Sequence, residues 1–288
     1  PGSDLKHPRS GQVVPTAGLG SDPITLENPL DRRRALSDWM TAPENRFFAR
    51  TIVNRLWAHY LGRGLVEPID DHRATNPASN EKLLDALAAE FRRQKYDLKA
   101  FTRTLLASRT YQLSSSTVPD NELDDQNFSH ATKKALPAEV LLDAICHATG
   151  IPEQFNGWPT GSRAIEIWDN RLPSYFFVIF GRPQRNSVCE CERGNEPSIS
   201  QALHLMNSPE SFQKIRHRDG RAAGLAAKKL SDEQVIDELF LATLSRVATD
   251  RERKLLLVAF TESSGNRREA VEDILWTLLN TKEFLYNH

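Results

Sequence analysis

Long apolar runs are missing from this sequence, and none approaches the roughly 18 consecutive residues that would mark a membrane helix, so no membrane insertion is expected. An excess of one charge is missing too. Lys and Arg total 37 against 38 Asp and Glu, which leaves no bulk field to draw the chain onto a phosphate backbone, and nucleic acid is not expected as a partner. Cysteine is scarce. Cys146, Cys189 and Cys191 are too few for a disulfide-built scaffold, and the odd count leaves at least one thiol without an intramolecular partner. No C-x-x-C-H attaches a c-type haem, no G-x-x-x-x-G-K or G-x-G-x-x-G cradles phosphates, and no G-x-S-x-G elbow presents a nucleophile. The chain opens on Pro1, Gly2 and Ser3, with no initiator Met and no charged-then-apolar leader, as expected for a fragment of a larger protein.

What is present is an ordinary globular composition, 39% hydrophobic and 26% charged, in a chain long enough for a sizeable core. Residues 1–30 hold Pro8, Pro15, Pro23 and Pro29 with little periodicity and read as an arm or linker. From Asp31 helical patterning begins: Ala35, Leu36, Trp39 and Met40 share a face that Pro43 ends. A stronger helix follows, with Phe48, Ile52, Leu56 and Tyr60 recurring every fourth residue and Gly62 placed for a left-handed cap. Ser79 or Asn80 caps a helix carrying Leu83, Leu84, Leu87 and Phe91, and Asp97 caps another through Phe101 and Leu105. Residues 112–134 form a long polar connection, and helix resumes at Pro137 until Gly150.

Residues 151–197 read differently, because glycines and prolines break apolar pieces such as AIEIW and SYFFVIF. Irregular backbone with a short hairpin is expected there. After Ser198 helices return to the end, with Ser231 and Thr249 opening capping boxes closed by Gln234 and Glu252, and a last helix built on Val271, Ile274, Leu275 and Leu278. FTRTLLASRTYQLS and ILWTLLNTKEFLYN echo one another, but two copies fall short of a solenoid, and coincidence of two amphipathic helix ends accounts for them. The sequence thus predicts a mainly α fold: a single helical domain over 31–288, made of N-terminal helices (31–150), an irregular insert (151–197) and C-terminal helices (198–288).

Two constellations carry chemistry. In SVCECERGNEPS, Cys189 and Cys191 alternate with Glu190 and Glu192, followed by Arg193. In an extended strand both sulfurs would share one face. C-x-C supplies at most half of a tetrahedral soft-metal shell, which His204 or Cys146 would have to complete. A metal site on Cys189, Cys191 and His204, a disulfide, and plain buried thiols all stay open. Arg182, Arg185 and Arg193 are sources of a lowered thiol pKa, while Glu190 and Glu192 act against it. The same FGRPQR and ECER residues could instead form buried Arg to Glu pairs that hold the insert against the helices, the reading preferred over catalysis. The second constellation sets Arg55 and His59 on one helix face before Asp70, Asp71 and His72, carboxylates beside imidazoles as general acid–base chemistry needs. Packing of His59 beside Trp57 and Tyr60, with Asp71 capping a turn before Pro77, is the plainer reading.

The stretches NRFFARTIVNRLWAHYLGRGLVEPIDD, SRTYQLSS, LPAEVLLDAI, FGRPQRNSVCECERGNEPSISQALHLMN and LLNTKEFLYNH resemble a planctomycete-specific domain of unknown function, over about residues 30 to 288. That resemblance implies a C-terminal module of large exported proteins, periplasmic or at the cell surface, behind a cytochrome-c-like haem-binding region. Export would favour the disulfide reading. The family carries an aromatic after the paired aspartates where this chain has His72, so a shared role at that position is not carried over. No catalytic residues come with the resemblance. The expected role is therefore structural or interactive, beside other domains of the parent protein such as a cytochrome-c-like module, with no cofactor in the fragment itself. The alternative is a hydrolase or redox enzyme with Cys189, Cys191, Glu192, Arg193 and Asp71 as its candidate residues.

Overall fold

Caps and stripes visible in the sequence recur as helix boundaries in the computed structural model, which describes residues 6–24, 31–168, 172–183, 198–263 and 265–287. The fold is mainly α, with 51% of the described residues helical. The chain divides into two compact units, Pro1–Thr132 and Lys133–His288, parted at the end of the polar stretch 112–134.

The first unit contains α1 (Arg32–Thr41), α2 (Phe48–Leu61), α3 (Glu81–Arg93) and α4 (Leu98–Leu106). Local chemistry sets their ends. The Asn80 and Asp97 side chains accept from Leu83 and Ala100 backbone N–H groups, and Gly62 closes α2 at φ 85°. The deepest face of α2 is not the expected stripe of Phe48, Ile52, Leu56 and Tyr60, which is only partly buried. It is the adjacent one, Ala49, Val53, Trp57 and Leu61. The helix is apolar on both faces, and packing against α3 and α4 decides which goes deepest. Phe91 and Phe101 close that core with ring centroids 5.0 Å apart, each burial stabilising by roughly 1.5–3 kcal/mol before conformational costs. The arm is not wholly extended: isolated bridges pair Lys6 with Val13 and Ala17 with Pro23, and Gly18 lies so close on the Trp39 ring that a Cβ there would collide with it.

The second unit contains α5 (Ala138–Thr149), α6 (Tyr175–Ile179), α7 (Ile199–Asn207), α8 (Pro209–Ile215), α9 (Arg221–Ala227), α10 (Asp232–Leu244), α11 (Asp250–Glu262), α12 (Arg267–Leu279) and α13 (Lys282–Leu285). Its core is built around α12, whose Val271, Ile274, Leu275 and Leu278 are buried as expected against α9, α10 and α11. Ser231 and Thr249 both form the capping boxes their spacing predicts. The hairpin expected in the insert is absent among the described residues. AIEIW instead carries a single 3₁₀ turn at Ala164–Glu166, and SYFFVIF becomes α6, because Ser174 caps it through the Phe177 N–H and Phe177 packs beneath α5. The ladder that does form joins β1 (Lys134–Ala135) to β2 (Tyr286–Asn287), antiparallel, with Ala135 opposite Tyr286.

Candidate functional site

Residues 62–80 link α2 to α3 and carry Asp70, Asp71 and His72. Asn54, fully buried on α2, holds this link in place. Its amide donates to Val66 O at 3.0 Å and Ile69 O at 2.8 Å, while its Oδ1 accepts from Val66 N at 3.0 Å. One polar side chain thus serves three backbone groups that burial would otherwise leave unpaired. Leu65 and Val66 enter the core beside it. Asn76 donates to Glu67 O and Asp71 O, and the Glu67 carboxylate accepts from Gly64 N, so the link is fastened along its length. Gly64 is required by proximity: a Cβ there would stand 2.5 Å from Val66 O.

A cleft of about 370 Å³ opens between the start of α2, this link and the start of α3, with Arg46, Phe47, Arg50, His72, Arg73 and Glu81 among its walls. Glu81 is the acid in its walls, and the carboxylates in and near it are committed. Asp70 takes a bidentate contact from Arg55 at 2.7 Å, Asp71 one from Arg73 at 2.6 Å, and Arg50 bridges Glu81 and Asp85. The arginine hydrogen bond is the main reason each of Asp70, Asp71 and Glu81 titrates below the usual carboxylate range. Such carboxylates stay ionised but accept protons poorly, whereas a general base works best with a pKa near the operating pH. Half-buried His72 is held below the ordinary imidazole value, first by burial and then by Arg50, against the pull of Asp70, Glu81 and Asp71. Its Nε2 is sealed from solvent and has no hydrogen-bond partner among the described residues.

The expected grouping of Asp71 with His59 does not form. Asp71 turns to Arg73, while His59 packs edge-on to Tyr60 with centroids 4.9 Å apart. Arg55 and Asp70 do meet, as the spacing suggested.

In the second constellation, Cys189, Cys191, Glu192 and Arg193 lie outside the described residues. His204 sits among aromatic rings, its centroid 5.6 Å from both Tyr175 and Phe176 and 6.0 Å from Phe180. Burial pulls its pKa down. Among the described residues no group of three or more His, Cys, Asp or Glu side chains could hold a metal ion. Cys146 is a half-buried free thiol whose pKa burial pushes up, the opposite of an activated nucleophile. The Arg to Glu reading finds a partner elsewhere: Arg182 of FGRPQR pairs with Glu139 on α5 at 3.4 Å, both nearly buried, lies 4.4 Å over the Phe177 ring, and donates to Ile167 O. A planar guanidinium thereby ties the insert to α5.

A family model described as PSD1, protein of unknown function (DUF1553), matches residues 32–260, from α1 into α11. The chain belongs to this family. No curated protein and no solved structure matches. In this PSD1 member the residues that sequence reasoning missed are Asn54, Arg46 and Arg50, all on or beside α2 and facing the link. An Asn inside an amphipathic helix carries no local sign of burial. Its one legible hint is position, beside Val53 on what proves the deepest face.

Proposed function

We propose that this chain is a non-catalytic interaction module of an exported multidomain protein, periplasmic or at the cell surface, that docks a cytochrome-c-like haem module through α6 and α7. The observation that carries the reading is an apolar face left open to solvent. Ile199 is 80% exposed and Val178 71%, and Tyr175, Leu203 and Met206 are exposed beside them. The two helices form one surface, since Gln201 Nε2 donates to Ile179 O at 3.1 Å and the Tyr175 ring meets His204. Neither helix carries an acidic residue, a Lys or an Arg. Single exposed apolar residues are normal, but a contiguous patch marks an interaction surface, and the centres of such surfaces are poor in charge and rich in aromatics and Met.

The haem-bearing neighbour is the partner that the family resemblance implies, and an apolar haem edge is chemically suited to an uncharged helix face. The reading is tested by hydrogen exchange on the protein alone and with a cytochrome-c-like domain added in trans. Slower exchange over 175–179 and 199–207 is expected, together with a loss of roughly tenfold or more in affinity for Leu203→Glu at unchanged helix content. Unchanged exchange over both helices at saturating cytochrome would sink it.

A further inference from the structure

We propose that the cleft beside α2 is a binding site for a small ligand that carries an oxyanion, carboxylate or phosphate, on a flat ring. The acids in and beside the cleft are already paired. Glu81 in the wall is tied to Arg50, and Asp71, next to the lining His72, is tied to Arg73, so a cationic ligand would have to break an existing pair to find a carboxylate. Arg46 is different: it lines the cleft, is exposed, and makes no ion pair or hydrogen bond with any described residue. It is the guanidinium free to form the bidentate contact that carboxylates and phosphates favour. Arg50 gives its two terminal nitrogens to Glu81 and Asp85, and Arg73 gives Nε and Nη2 to Asp71, so each still has donors left from the five a guanidinium offers.

Phe47, 39% exposed, and Pro77 supply apolar wall beside the arginines, suited to the flat part of a ligand. The walls are set before any ligand arrives. Asn45 fixes the start of α2 by accepting from Phe47 N and Phe48 N, and Asn54 and Asn76 fix the link, so little ordering remains to be done on binding.

The test is calorimetric titration of the whole chain with four probes: benzoate, phenyl phosphate, inorganic phosphate and benzamidine. Benzoate and phenyl phosphate should bind saturably, inorganic phosphate more weakly, and benzamidine, with the same ring and the opposite charge, not at all. Arg46→Ala should weaken phenyl phosphate by roughly tenfold or more without moving Tm, since Arg46 holds no partner among the described residues. Equal binding of benzamidine and benzoate, unchanged affinity in Arg46→Ala, phenyl phosphate no tighter than inorganic phosphate, or no saturation of either aryl anion by roughly 10 mM would each overturn the assignment.

Discussion

The stretch α2 to α4 in the first unit and the stretch α10 to α12 in the second are built on a similar plan and joined differently. In each, a long helix ends in a left-handed residue, Gly62 or Ser245, and the chain returns as two more helices packed on the first. The second unit makes its connection with residues 245–249 alone. The first uses 62–80, and the surplus is what carries Leu65 and Val66 into the core and builds the arginine-lined cleft. A short turn is thus enough for packing of this kind, and the longer one serves something besides closing the helices. The means of holding differ as well: a neutral buried amide, Asn54, in the first, and a half-buried ionic cluster in the second, where Arg246 reaches Glu252 on α11 at 2.7 Å and Glu283 on α13 at 2.6 Å.

The sharpest way to break this comparison is Asn54→Ala. It leaves Val66 N–H, Val66 C=O and Ile69 C=O without their partner and should cost about 3 kcal/mol, read as a lower urea midpoint. Hydrogen exchange should show protection lost over 62–80 and α2 first, with α10 to α12 keeping theirs; simultaneous loss in both stretches would erase the contrast. Gly64→Ala should cost less, about 1–3 kcal/mol, because the new Cβ must push the Val66 carbonyl and the Asn54 amide apart. A wild-type urea midpoint in that variant would mean the link is looser than its hydrogen bonds imply.

The smallest effect concerns acid. Glu252 titrates at about 2, chiefly through its hydrogen bond to Arg246, instead of the ordinary 4.5. A carboxylate depressed on folding adds stability that is complete above its unfolded value and fades as pH falls from 4.5 toward 2. Arg246→Met should therefore lower Tm at neutral pH by a modest amount, since the pair is about one-third exposed, and the gap to wild type should narrow across that window. A gap that stays constant down to pH 2 would show that Arg246 acts through its packing 5.1 Å over Phe240 and not through charge.

Helix ends were the most legible part of this protein. Asn80, Asp97, Ser231, Thr249, Gly62 and Gly150 act where the sequence places them, because a cap depends on atoms within one turn. The echo between the two segments extends to their local structure. Leu105 and Leu278 both enter a core, and three residues further on Ser108 and Thr281 each accept from a backbone N–H another three residues along, Tyr111 and Phe284. SYFFVIF misled, since an apolar run of that length suits a strand or a buried helical turn equally. The candidate cleft was half legible. Asp71 and His72 announce themselves as neighbours, but Arg46, Arg50 and Glu81 belong to other elements and nothing local ties them to the link.

The mainly α character, most helix boundaries, the buried stripe of α12 and the family can all be read along the chain, because these rest on spacing between near neighbours. Which face of α2 goes deepest, that Asn54 is a buried anchor, which arginine neutralises which carboxylate, and that Arg46 is left over among the described residues emerge from packing alone. Those depend on distances between residues far apart in sequence, where side-chain hydrogen bonds and ion pairs form or fail over a few tenths of an ångström.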